Sequence, residues 1–501
     1  MVRLSHAAYR RTRGRAWALA TLIAVTGSLA AAGLQCELPL GPGRASALAL
    51  AVSAACLAAN MTWFGAPVSG PSSIFMASMM AFHLGLIAPW SWGLVDGPIW
   101  LEMTPARWLD AALYAVVLAF AALEIGLLIG WGKLSGRRNT SVTPVVLVRR
   151  ARSAFLSAGL LLAAAATMAV VVNLATIGMG RFFGSAYSFE LYALTDSRLL
   201  QTGLFWLLPA SLLIALAGAR RGLETRLVLT CCGGALVALL AVGNRGSGIT
   251  FAAAALIVWT YTRGSVSLRT AGVAGLSLLF LLPTVAAVRR LPRNAVRLED
   301  LTAAAAEATP LQALAETGAS LRPLVETLRL VPAEVPYRLG RSYLSAALRL
   351  VPNAGIDRSE QEGADPADLP PNHWITYTVA PWTYASFGGL GFSGIAEPYL
   401  NFGVLGVAIY FLGLGFCFGR AERALASGAP RRTVALAAVV FMPLLLTVRN
   451  DFHNFVRPAV WGVCVVLLIE RIHGVRRVAR AARPVLGPAR PPPTRIAHTA
   501  P

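Results

Sequence analysis

Long apolar runs without charges are the feature that most constrains how this chain can fold. A helix that crosses a lipid bilayer needs about 20 predominantly apolar residues. Runs of this kind predict twelve membrane-spanning helices, at 17–34, 45–64, 72–91, 109–131, 153–174, 202–219, 227–243, 247–262, 270–288, 399–418, 433–448 and 457–470. The first run is not followed by a convincing small-residue cleavage site, so we expect a retained span and not a removed signal peptide.

The composition supports a membrane protein. Only 13% of the residues are charged and 56% are hydrophobic, whereas soluble proteins carry about 25% charged residues. This excludes an ordinary soluble enzyme, and the apolar content excludes a disordered chain. The formal net charge is +21, which by itself would suit a nucleic-acid partner.

The distribution of the basic residues gives the charge another explanation. Cytoplasmic loops of membrane proteins carry an excess of Lys and Arg. With both termini in the cytoplasm, 27 basic and three acidic residues fall on the inner side, and 17 basic and 20 acidic residues fall elsewhere. We therefore attribute the excess to topology and to contact with anionic membrane lipids. We predict the cytoplasmic membrane as the location and no nucleic-acid partner.

One predicted outer loop is far longer than the others. The chain divides into nine spans (1–288), a large extracytoplasmic loop (289–398), three further spans (399–470) and a basic, Pro-rich cytoplasmic tail (471–501) that we expect to be disordered. A loop of this length is usually functional. Short helices are predicted in it at 300–318, 320–330 and 340–351. The predicted fold class is all-α, a polytopic membrane protein with about twelve spans and one long outer loop.

Polar residues at the outer ends of the spans are the candidates for function, because charges at a membrane are costly and usually have a role. Arginine suits bidentate binding of phosphate. The candidates are Arg181, Arg245, Arg289, Arg290, Arg341, Glu397, Asn401, Arg449, His453 and Arg457. Simpler roles stay open: an arginine at a span end often anchors a helix at the interface, Glu397 could cap a helix, and His453 could cap a turn.

Two stretches resemble the carboxy-terminal half of bacterial Wzy-type polymerases, which polymerise O-antigen or other oligosaccharide repeat units. They are GRSYLSAALRLVPN (340–353) and GGLGFSGIAEPYLNFGVLG (388–406). The residues that carry the resemblance in the second stretch are Ser393, Glu397, Tyr399, Asn401, Phe402 and Gly403. GNRGS, which contains Arg245, is similar to the family's arginine at a span start.

The resemblance implies a glycosyl transfer on the outer face of the cytoplasmic membrane, with undecaprenyl-pyrophosphate-linked oligosaccharide as the donor. It implies no metal and no other cofactor, since arginines can neutralise the leaving pyrophosphate; the sequence has no zinc motif either. A chain-length regulator and a repeat-unit flippase are the expected protein partners. Our hypothesis is that Arg245, Arg289 or Arg290, and Arg341 bind pyrophosphate, assisted by Arg449 or Arg457. Glu397 or His453 would then accept the proton of the attacking hydroxyl.

Two other functions stay open. A ligase that moves a finished glycan to another acceptor has a similar topology and similar arginines. A flippase or other transporter is the non-enzymatic alternative, since transporters carry intramembrane charges and inverted repeats. We detect no repeat, and the charges sit at span ends with Glu124 as the exception.

Overall fold

The computed structural model describes residues 6–63, 65–132, 145–178, 201–242, 244–273, 309–350, 369–385, 388–426 and 428–481, together with residues 275, 297, 299–300 and 302–303. These residues form helices, turns and loops, and none of them is in a strand. The prediction of an all-α fold is confirmed.

Helices follow one another through the described chain. They are α1 (His6–Cys36), α2 (Pro42–Trp63), α3 (Pro71–Leu84), α4 (Ile87–Ser91), α5 (Ile99–Glu102), α6 (Ala106–Trp131), α7 (Val145–Ile177), α8 (Leu208–Gly218), α9 (Leu223–Ala241), α10 (Arg245–Arg263), α11 (Pro310–Gly318), α12 (Leu321–Leu330), α13 (Arg341–Leu348), α14 (Pro371–Val379), α15 (Pro381–Ala385), α16 (Ala396–Ala426), α17 (Arg431–Leu446) and α18 (His453–Ala481). A π-helical turn, Gln201–Leu207, leads into α8.

Within the described residues, five helices are long and apolar enough to cross a membrane: Pro42–Thr62, Ala106–Trp131, Ala154–Thr176, Leu223–Ala241 and Ala396–Ala426. They coincide with five of the twelve predicted spans. The predicted spans at 17–34, 202–219, 247–262, 433–448 and 457–470 also fall on helical segments, and α18 continues beyond its predicted span to Ala481. The predicted span at 270–288 lies largely outside the described residues, so the total of twelve stays a prediction.

The predicted span at 72–91 is wrong as a single helix. The helix is interrupted at Gly85 and Leu86, which separate α3 from α4. Helix α11 from the outer loop packs against this break: a Cβ on Gly85 would lie 2.6 Å from the Leu314 carbonyl oxygen, and one on Gly318 would overlap the Leu86 nitrogen. Glycine allows this contact between backbones, which an uninterrupted helix with side chains at these positions could not make.

Helix α6 lies at the centre of the bundle and is buried over most of its length. Its closest neighbour is α16. A Cβ on Gly126 would lie 2.8 Å from the Phe416 nitrogen, and one on Gly419 would lie 2.7 Å from the Leu127 oxygen. Small residues of this kind let two membrane helices approach at backbone distance.

Two of the short helices predicted in the outer loop are confirmed, as α12 and α13. In the predicted helix at 300–318, the described residues 300, 302 and 303 are helical. Helix α11 begins at Pro310, where Thr309 and Gln312 form a capping box. Helix α13 buries Ser342 and Ala346 and exposes Leu344 and Leu348. Its polar side therefore faces the protein, and its leucines face outwards.

Candidate active site

A break inside α16 shapes the candidate active site. Phe402 (φ −141°, ψ 17°) and Gly403 (φ 64°, ψ −149°) leave the helical conformation. The positive φ of Gly403 favours glycine, and a Cβ there would lie 3.0 Å from the Tyr337 hydroxyl oxygen. The break separates residues 396–401 from the long apolar part of the helix.

The outer loop is fastened to this break by three hydrogen bonds. The Arg338 N–H donates to the Leu400 carbonyl oxygen (3.0 Å), and the Leu339 N–H donates to the Asn401 carbonyl oxygen (3.1 Å). The Gly340 N–H donates to Asn401 Oδ1 (2.9 Å). The first two bonds satisfy backbone carbonyl groups that the broken helix leaves without intrahelical partners, and the third is made to a side chain. The loop segment before α13 is thereby held at the start of α16.

Glu397 ties three segments together. It is only 3% exposed. Its Oε1 accepts from the Ser342 hydroxyl of α13 (2.8 Å), and its Oε2 accepts from the Phe452 N–H (2.7 Å). The amide of Asn401 donates to the Ser342 hydroxyl at 2.8 Å. A buried carboxylate is tolerated where its oxygens are hydrogen-bonded, and here the partners of the side chain come from other elements and not from the first turn of α16.

His453, the first residue of α18, packs against the face of α13 that carries Ser342 and Ser345. Its Nε2 is 2.8 Å from the Ser345 hydroxyl oxygen, and that hydroxyl donates its one proton to the Ser342 carbonyl oxygen (3.0 Å). With the hydroxyl proton directed to Ser342, Nε2 carries the ring proton and donates to Ser345, and the lone pair is on Nδ1. Nδ1 is buried and has no hydrogen-bond partner in the described part of the chain. Burial lowers the pKa of His453 to about 4, so the ring is neutral at pH 7.

Asp451 is a fully buried acid beside both groups. Its Oδ2 accepts from the Asn372 N–H (3.1 Å) and its Oδ1 from the Asn454 amide (2.8 Å). The negative charge of Asp451 raises the pKa of His453, although burial has the larger effect. Asp451 thus offers a counter-charge to a protonated imidazole.

Arg338 is a part of the site that the sequence prediction missed. Its side chain is buried, donates from Nη1 to the Leu369 carbonyl oxygen (2.8 Å), and lies 5.2 Å from the ring centroid of Trp374. It is also within electrostatic range of Glu397. No pattern in the sequence separates Arg338 from the other arginines of the loop.

Ser342 and Ser345 were also missed, although a signal for them existed. They are three residues apart on a helix predicted from its amphipathic pattern, and this spacing places both on one face. Both lie on the side of α13 that faces Glu397 and His453.

The structure brings Arg449 and Arg457 to the site, and Arg341 to its edge. The carbonyl oxygen of Arg449 accepts from the Phe392 N–H (2.7 Å). The exposed Arg457 donates from Nε to the Arg349 carbonyl oxygen at the end of α13 (2.7 Å). Arg341 begins α13 and is exposed. All three arginines therefore lie on segments that border the cluster.

Arg245 lies to one side and has its own partner. Its Nη2 is 3.1 Å from Glu316 Oε1, and its side chain is 13% exposed. The neighbouring Gly246 lies near the end of α17, since a Cβ there would be 3.4 Å from Leu446 Cδ1. The predicted arginines Arg181, Arg289 and Arg290 lie outside the described residues.

One comparison with known proteins gives a match. The model of a protein family described as O-antigen polysaccharide polymerase Wzy matches residues 108–473. This range includes the residues of the cluster around Glu397 and His453. No curated protein and no solved structure matches the chain.

Proposed function

This chain belongs to the family of O-antigen polysaccharide polymerases, Wzy, and from that membership we propose that it joins undecaprenyl-pyrophosphate-linked repeat units at the outer face of the cytoplasmic membrane. The product is a surface polysaccharide. The observation that carries the proposal is the buried cluster of Glu397, Ser342, Asn401 and His453, where the outer loop meets the break in α16.

His453 acts as the general base. Its Nδ1 has a lone pair and no partner among the described residues, so it can take the proton from a sugar hydroxyl of the acceptor. The hydroxyl oxygen forms the new bond to the anomeric carbon of the donor. The bond from that carbon to pyrophosphate breaks, and undecaprenyl pyrophosphate leaves. The nearby Asp451 stabilises the imidazolium that forms.

Glu397 acts as a positioning residue. Both of its oxygens already accept hydrogen bonds, from Ser342 and from Phe452, so it is poorly placed to take a further proton. By holding α13 and the turn before α18 together, it fixes His453 relative to Ser345. Of the two bases considered from the sequence, we therefore favour His453.

The arginines on the outer side of the cluster bind the pyrophosphate. Arg341, Arg449 and Arg457 lie on segments that Glu397 and His453 hold together, and a guanidinium can bind phosphate with two parallel hydrogen bonds. Such positive charges stabilise the leaving group in the transition state. Arg245 joins them when its ion pair with Glu316 opens. The exposed leucines of α13 face the membrane, and the lipid tail of the donor lies in its apolar interior.

The test is a polymerisation assay with the purified protein and a synthetic undecaprenyl-pyrophosphate-linked repeat unit. We expect a ladder of products with one to many repeat units. Arg341→Ala is expected to abolish the ladder, whereas Arg329→Ala, which removes a half-buried arginine of α12 paired with Glu326, is expected to leave it intact.

The same assay distinguishes the alternatives. A ligase would transfer a finished glycan to a second acceptor without lengthening it, and a transporter would form no glycosidic bond. In cells, loss of a polymerase leaves single repeat units, whereas loss of a ligase accumulates lipid-linked polymer. Either of these other outcomes would overturn the proposal.

A further inference from the structure

A second buried polar cluster lies at the opposite end of α16 from Glu397. Its centre is formed by Glu422 of α16 and Glu124 of α6, which are 1% and 0% exposed. Asn60 of α2, Ser72 of α3 and Tyr261 of α10 surround them. None of these groups takes part in the proposed glycosyl transfer.

Glu422 has the donors that a carboxylate requires. Its Oε1 accepts from the N–H of Ser72 (2.9 Å) and from the hydroxyl of the same residue (2.5 Å). The amide of Asn60 donates to that hydroxyl at 2.7 Å. Two donors on one oxygen favour the ionised form of a carboxyl group.

Glu124 has none of these donors. Both of its oxygens are buried without a hydrogen-bond partner among the described residues, and the same holds for Glu422 Oε2 and Asn60 Oδ1. Cys56, one turn before Asn60 on α2, has its Sγ 3.9 Å from the carbonyl oxygen of Phe120, one turn before Glu124 on α6. The face of α2 that carries Asn60 therefore lies against the face of α6 that carries Glu124.

The two carboxyl groups interact electrostatically, and no arginine, lysine or histidine in the described part of the chain forms an ion pair with either. The other titratable groups that face them are the Cys56 thiol and the Tyr261 hydroxyl. Two like charges this deep in a protein cannot both be sustained. One of the two carboxyl groups must be neutral, and Glu124 is the one without donors.

We propose that Glu124 and Glu422 form a proton-binding site inside the membrane domain, in which Glu124 holds the proton and Glu422 is ionised. As a carboxylic acid, Glu124 becomes a donor, and the unpartnered Glu422 Oε2 and Asn60 Oδ1 are acceptors of the matching kind. The proton keeps the contact between α6 and α16 uncharged at the place where Gly126 and Gly419 bring the two backbones together. Loss of the proton would place two negative charges in this contact and weaken it.

The test is infrared spectroscopy of the purified full-length protein in lipid at pH 7. We expect the carbonyl band of a protonated carboxylic acid, and we expect Glu124→Gln to remove one carboxyl group's share of that band. Glu422→Gln, which changes the ionised partner, and Glu334→Gln, which changes an exposed glutamate, are the controls and should leave that share in place. A band unchanged by Glu124→Gln would overturn the proposal.

Thermal unfolding separates a bound proton from a bound metal cation. Glutamine is a neutral isostere of protonated glutamate, so Glu124→Gln should unfold at the wild-type temperature. A wild-type unfolding temperature that falls when sodium is replaced by choline, together with loss of that effect in Glu124→Gln, would instead show a sodium site. If Glu124→Gln does not fold, Glu124→Asp tests whether residue 124 carries the proton. The carboxylic acid band should then shift, and a band at the wild-type position would overturn the proposal.

Discussion

At the scale of single residues, the hydrogen bonds of Ser345 decide which nitrogen of His453 can act. Because Nε2 is hydrogen-bonded to Ser345, the nitrogen that can act as the base is Nδ1. We expect His453→Gln to lower kcat by about 100-fold or more, the usual contribution of a general base. The ladder assay with lipid-linked repeat units measures this. His473→Gln is the matched control, since His473 lies in the later part of α18 and its ring Nδ1 is 2.8 Å from the Ile469 carbonyl oxygen of the same helix, and equal losses in both variants would contradict the assignment.

The pH dependence follows from the same residue. Burial lowers the pKa of His453 to about 4, and only the neutral ring can accept a proton. The rate of polymerisation should therefore stay level as the pH falls through 6.5, the ordinary value for histidine, and should decline only as it approaches about 4. Initial rates between pH 4 and 8 check this. A decline centred near 6.5 that disappears in His453→Gln would show that His453 is less buried than the structure indicates.

Glu397 shows how a positioning residue differs from a base. Ser342→Ala removes the donor to Oε1, and leaving a buried acceptor unsatisfied costs about 1–3 kcal/mol. We expect a lower unfolding temperature in detergent together with reduced polymer. Glu397→Gln keeps an acceptor for the Phe452 N–H and should retain more activity than Glu397→Ala. Equal activity of Glu397→Gln and Glu397→Ala, with unchanged stability of Ser342→Ala, would contradict the positioning role.

At the scale of elements, the break in α16 is the feature on which the site depends. Gly403→Ala should destabilise the protein by about 1–3 kcal/mol, because a side chain at this φ and ψ is strained and its Cβ would crowd the Tyr337 hydroxyl. Polymer formation should fall with it. Gly413→Ala is the matched control on the same helix, where an added Cβ meets nothing within 4 Å. Thermal unfolding of the two variants gives the comparison. Similar stability of both would contradict the requirement for glycine at the break in α16.

The elements also show how far the sequence alone could lead. Apolar length predicts α2, α6, α7, α9 and α16, because a span is a property of local composition. The break after α3 could not be predicted, since it depends on α11, which is distant in sequence and packs backbone against backbone at Gly85. Glu397 and His453 can be predicted as candidates because they are polar residues at span ends. The role of Arg338 depends on contacts that form only when the outer loop folds onto α16.

At the scale of the whole molecule, the site and the proton-binding cluster lie at opposite ends of α16, and the charge distribution predicts which end faces outwards. The basic excess falls on the loops predicted to be cytoplasmic, so the end with Glu397 and the long loop should face away from the cytoplasm. Cys36, at the end of α1, should lie on that same outer side, and it is exposed.

Labelling of cysteines in intact cells tests this orientation. Cys56 and Cys232 are buried, and Cys231, Cys417 and Cys464 lie on apolar helical segments, where a charged reagent in water does not reach them. A membrane-impermeant maleimide should therefore label the wild-type protein from outside, and Cys36→Ser should abolish the labelling. Labelling of Cys36 that appears only after the membrane is permeabilised would reverse the topology. It would place the cluster of Glu397 and His453 on the cytoplasmic side, where an outward-facing polymerase could not use it.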